Sequence, residues 1–110
     1  MNIVFHKNAA AGSWFTLSLE EQLGNIGTEV GRAAKWQGGD ENFFQGAVGR
    51  ALELFDLTLA DARWKGRRLE IARSRELFCA AVLGNNEYKT SLDDLNRYFL
   101  FFALAARKNQ

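Results

Sequence analysis

The 110-residue chain contains no proline, a single histidine, His6, and a single cysteine, Cys79. Each scarcity excludes something. Without proline, no ring removes a backbone donor, so helices run until glycine or a polar loop stops them. One histidine and one cysteine far apart in sequence do not make a zinc site, a nucleophile with its base, or a redox dithiol. No catalytic constellation is recognisable, so the expectation is a protein that is not an enzyme and takes no cofactor and no metal. The lone cysteine permits no intramolecular disulfide and fits a reducing, cytoplasmic compartment. Excess charge is missing too: 14 basic and 13 acidic residues leave a net charge of +1, so any electrostatic function must be local. No apolar run reaches the ~20 residues of a membrane span, and the longest, 98–106, is about half that. The opening MNIVFHKNAAAG has too short an apolar stretch for a signal peptide.

What the chain does have is apolar residues at helical spacing. Residues 1–17 read as a poorly ordered or extended lead-in, with Trp14, Phe15 and Leu17 anchoring the chain to a core. Residues 18–110 read as one helical domain. Ser18 and Glu21 have the spacing of a capping box, which starts a first helix at 18. Leu19, Leu23, Ile26, Val30, Ala33 and Ala34 carry its stripe to about 36, where Gly38 and Gly39 end it. Gly24, Gly27 and Gly31 each weaken this helix by roughly 1 kcal/mol relative to alanine, which implies that another backbone approaches them closely.

Asp40 and Glu41 open a second helix to about 60, with Phe44, Ala47, Val48, Ala51, Phe55 and Thr58 on one edge. The segment 61–66 breaks the pattern. A third helix from about 67 to 83 should turn Ile71, Phe78, Cys79 and Val82 inward with Leu69, Ala72 and Ala81 nearby, and Gly84 should cap it. Ser91 and Asp94 open a fourth, in which Leu92, Leu95, Phe99, Phe102 and Ala106 recur at steps of three and four, and Arg107 and Lys108 close it. The fold class read from this is all-α, a four-helix antiparallel bundle or two stacked helical hairpins. Ala34, Gly39, Asp40, Ala47 and the run Ala51, Leu52, Glu53, Leu54 resemble the second half of a tetratricopeptide hairpin, in which small residues let two helices pack closely. The resemblance covers about a third of the chain and implies no binding residues.

Three groups of residues are candidates for function. The run 98–104 is apolar on every side, and such a helix must be covered on every side. It therefore points to a central position in the bundle, or to a homodimer or helical partner meeting Tyr98, Phe101 and Phe102. Together with Trp36, Phe101 and Phe102 are also candidates to line a small-molecule pocket. The second group is basic: Arg63, Lys65, Arg67, Arg68, Arg73 and Arg75 surround Trp64, a pattern in which guanidiniums grip phosphates while a base stacks on the indole. The competing account, which weighs more, is a solvated face whose arginines pair with Asp56, Asp61, Glu70 and Glu76. The third group is the carboxylates Glu53 and Asp56, which read as solvated surface. The leading expectation is a non-catalytic, self-associating interaction or regulatory module without a membrane partner, with nucleic-acid binding as the alternative.

Overall fold

The structure is a computed structural model that describes Lys7 and residues 11–84 and 90–108. Among these, four α-helices form an all-α bundle: α1 (Leu19–Trp36), α2 (Glu41–Ala60), α3 (Arg68–Val82) and α4 (Leu92–Lys108). Short 3-10 helices precede α1 (Ser13–Thr16) and α3 (Ala62–Arg67). The boundaries follow the capping chemistry. The Ser18 side chain accepts from the Glu21 amide while the Glu21 carboxylate accepts from the Ser18 amide, so two groups orphaned at the start of α1 are satisfied reciprocally. Asp40 accepts from the Phe43 amide to start α2, and Ser91 and Asp94 repeat the reciprocal pair before α4.

Helix α1 is the centre of the molecule, flanked closely by α4 and by α2, while α3 lies against α2 and only lightly against α4. Its three glycines explain the first of these contacts. An ideal Cβ on Gly24 would stand 3.0 Å from the Cα of Ala103, one on Gly27 2.5 Å from the Cβ of Phe99, and one on Gly31 2.9 Å from the Asn96 side chain. The partners run backwards along α4 as the glycines run forwards along α1, so the two helices are antiparallel and in close contact along that seam. The backbone that the glycine spacing anticipates is that of α4.

The core forms where the helices converge. Phe55 of α2 stacks against Phe78 of α3 and Phe99 of α4, with ring centroids 5.7 and 5.8 Å apart, and Ile26 and Val30 of α1 are fully buried beside them. Trp14 reaches this core from the 3-10 helix before α1, with Phe15 and Leu17 partly buried against it. Two expectations change. Leu69 and Ala72, expected near the inner face of α3, are both exposed, Leu69 to 86%, because it precedes the buried Ile71 by two residues, about 200° round the helix. The central helix is α1 and not α4, since it is α1 that carries the glycines which let neighbours approach.

Candidate functional site

Helix α4 has one buried face and one open face. Leu92, Leu95 and Phe99 are buried, and Phe102 packs against the core beside them. On the opposite side Phe101 is 72% exposed, Leu100 54% and Leu104 50%, while Tyr98, 39% exposed, stands between the two sides with its ring 5.1 Å from that of Phe99 and 5.3 Å from that of Phe102. The reason is the width of the apolar pattern. Phe99 and Phe102 take the side toward α1 and α2, and a rotation of 100° per residue carries Phe101 and Leu104 to the far side, where none of the other three described α-helices lies. Of the three side chains expected at an interface, Phe101 is on the open face, Tyr98 stands at its border beside the α3–α4 groove, and Phe102 packs against the core. Leu100 and Leu104, which flank Phe101 at helical spacing, belong to that face and were not singled out from the sequence. Arg97 is exposed within this face one turn before Phe101, Arg107 and Lys108 are exposed at its end, and Asp93 is exposed at its start.

Beside Tyr98, α3 and α4 diverge and leave a groove of about 320 Å³, lined by Leu77, Leu95 and Tyr98 with Glu70, Arg73 and Asp94 at its rim. The aromatic pocket expected from Trp36, Phe101 and Phe102 is not assembled. In the antiparallel pairing Phe102 lies level with Gly24, whereas Trp36 ends α1 a dozen residues later, roughly 18 Å along the axis. Trp36 stacks on Phe43 instead, with centroids 4.9 Å apart and the Lys35 ammonium over its ring.

The basic cluster is held by internal partners. Arg63 forms a bidentate pair with the buried Asp61, through Nη2 to Oδ2 at 2.7 Å and Nε to Oδ1 at 3.0 Å, and its Nη2 also donates to the Leu17 carbonyl at 2.6 Å. Arg67 pairs with Glu70 at 2.9 Å and Arg75 with Asp56 at 2.9 Å, while Arg68 donates to the Leu59 carbonyl at 3.1 Å. Pairing with Asp56, Asp61 and Glu70 is what the solvated-face account expects. Trp64 is half-buried against the core; its Nε1 donates to Gln22 Oε1 at 2.8 Å, and the Arg63 guanidinium sits 4.4 Å from its ring centroid. The indole is thus fixed at its nitrogen and covered on one face, unlike the open stacking surface the nucleic-acid reading assumes. Lys65 is exposed, and Arg73 lines the α3–α4 groove.

These contacts belong to a buried polar network that sequence reasoning missed. Gln22, fully buried on α1, donates to the Trp14 carbonyl at 2.9 Å and to Asp61 Oδ2 at 3.0 Å. Trp14 Nε1 donates to Thr58 Oγ1 at 3.1 Å, and Thr58 in turn donates to the Leu54 carbonyl. The network ties the lead-in, α1, the end of α2 and the second 3-10 helix at one point. The hydrogen bonds from Arg63, followed by the one from Gln22, lower the Asp61 pKa from its ordinary 3.8 to about 2 against the opposing effect of burial. The signal available in sequence was a glutamine set within the apolar stripe of α1 between Leu19 and Leu23.

A second buried carboxylate, Glu29, accepts from Arg32 at 2.6 Å and from Arg50 at 2.8 Å, which links α1 to α2. Cys79 is half-buried, with Arg75 Nη1 4.0 Å from its sulfur. Glu53 and Asp56 lie along α2, the latter in its pair with Arg75. His6 lies outside the described residues. Among those described, no three His, Cys, Asp or Glu side chains are grouped as metal ligands would be, and no helix is long and apolar enough to cross a membrane. Comparison of the chain with protein-family models, with curated proteins and with solved structures returned no match.

Proposed function

We propose that this protein is a non-catalytic helical module of the cytoplasm that works by self-association, in an interaction or regulatory role, through the open face of α4. One observation supports this above the others. Phe101, Leu100 and Leu104 stand exposed together on a helix whose opposite side carries the buried Leu92, Leu95 and Phe99. Apolar surface left in water forgoes about 25 cal/mol per Å², and a contiguous patch rimmed by charge is the usual mark of a surface that another molecule covers. The basic cluster supports the nucleic-acid alternative less, because four of its arginines already hold partners within the chain.

Light scattering coupled to size exclusion, run over a dilution series, tests the proposal. The expected result is a concentration-dependent dimer. A mass that stays monomeric up to on the order of 100 μM, a range where even a weak specific complex forms, would overturn it.

A further inference from the structure

The open face of α4 carries charge as well as apolar surface, and the charge is polar along the helix. Asp93 and Asp94 stand at its start and Arg107 and Lys108 at its end, with Arg97, Leu100, Phe101 and Leu104 between them. Asp93, Leu100, Phe101, Leu104 and Lys108 share the exposed side. Asp94 is engaged locally, accepting from Ser91 and pairing with Arg97, but neither Asp93 nor Lys108 has an ion-pair partner among the described residues.

We propose that the occupant of this face is α4 of a second copy of the chain, lying antiparallel across a two-fold axis that passes near Leu100 and Phe101. The inference rests on the self-association reading and adds to it the orientation and the groups that set it. The reason is self-complementarity. A two-fold contact brings residue i of one copy to residue j of the other and j to i, so a surface pairs with itself only if its two halves attract. Asp93 lies about as far before the Leu100–Phe101 step as Lys108 lies beyond it, each roughly 11 Å along the axis. An antiparallel crossing there sets the Asp93 of each copy opposite the Lys108 of the other, Leu100 and Phe101 meet at the centre, and Arg97, held by Asp94 of its own helix at 3.7 Å, lies level with Leu104 of the other copy. A parallel contact would instead set Asp93 against Asp93 and Lys108 against Lys108, and like charges across an interface are disfavoured. Helix ends supply this polarity anyway through the macrodipole; what α4 adds is an exposed apolar centre between the two ends.

The test separates the orientation from association itself. Asp93→Lys and Lys108→Glu, each alone, replace two attractions by two repulsions per dimer and should weaken it about tenfold, since exposed pairs contribute up to about 1 kcal/mol each. Mixed in equal amounts, the two variants should recover the wild-type dissociation constant, because every contact in the mixed dimer is then attractive. Single variants that dimerise as tightly as wild type, or a mixture without recovery, overturn the antiparallel arrangement while leaving self-association standing; a monomeric wild type overturns both. A measurement independent of charge guards against variants that fold poorly. In a Cys79→Ser background, Leu100→Cys should form an intermolecular disulfide on mild oxidation and Glu76→Cys should not. Equal cross-linking of the two would count against the axis near Leu100.

Discussion

Gly27 sets how closely α4 can lie on α1. A methyl group there would meet the Cβ of Phe99 at 2.5 Å, and neither backbone can yield without opening the seam. Gly27→Ala should therefore destabilise the protein by about 2 kcal/mol, the usual cost of overpacking, although alanine is the better helix former. Gly46 on α2 is the control, because its added methyl meets only the flexible end of Arg50 at 3.1 Å. Gly46→Ala should leave stability unchanged or raise it by up to about 1 kcal/mol through helix propensity alone. Urea unfolding of the two variants checks both outcomes.

Asp61 is the second residue with a quantitative consequence. Its carboxylate is held ionised by Arg63 and Gln22, with a folded-state pKa of about 2 against an ordinary 3.8. A lowered pKa means stability that is present above the unfolded value and lost as pH falls through the folded one, so the contribution should disappear between about pH 4 and pH 2. Arg63 is partly exposed and solvent screens the pair, which reduces the contribution to about 1 to 2 kcal/mol. Asp61→Asn should lose that stability at neutral pH and flatten the acid limb of the stability curve. A variant whose acid limb matches the wild type would show that other carboxylates govern it.

At the scale of the element, α4 divides its aromatics between two tasks. Phe102 packs against the core while Phe101 is exposed. Phe102→Ala should lower stability by about 2 kcal/mol, toward the lower end for a large-to-small change because the side chain is only half-buried. Phe101→Glu should change the stability of the monomer by no more than a surface substitution does, about 0.5 kcal/mol, and, on the proposed self-association, abolish the dimer. Thermal melts beside light scattering separate the two effects. The division was only partly legible beforehand. The spacing of Leu92, Leu95, Phe99 and Phe102 marked the inner face, but a helix apolar all round does not announce which side its neighbours leave open. That depends on where α1, α2 and α3 lie, and their placement is a property of the assembled bundle.

For the whole molecule, four of the arginines that suggest a nucleic-acid grip in sequence have partners within the chain. Arg63, Arg67 and Arg75 face Asp61, Glu70 and Asp56, and Arg68 faces a backbone carbonyl. Titration of labelled RNA and DNA at low salt should accordingly be flat, whereas a phosphate grip would show binding that weakens steeply as salt rises. Binding of that kind, abolished by Arg67→Ala with Arg68→Ala, would restore the nucleic-acid reading. Arg63 ties the lead-in at Leu17 to Asp61, which in turn holds Gln22 of α1, so Arg63→Ala should loosen the fold at that junction.

The sequence by itself determined the helices and their ends. Capping residues act within one turn, and apolar residues at steps of three and four define a face, so the bounds at Ser18, Asp40 and Ser91 and the inner stripes of α1 and α2 follow from neighbours in the chain. It also marked Gly24, Gly27 and Gly31 as a place of close approach without naming the partner. Tertiary structure alone decided that the partner is α4, that α1 is the central helix, that Gln22 and Asp61 meet across 39 residues, and that Phe101 remains outside. The physical reason is range. Caps and periodicity are set by contacts a few residues apart, whereas the choice of neighbours for each helix is made by packing among surfaces that the linear order of residues does not bring together.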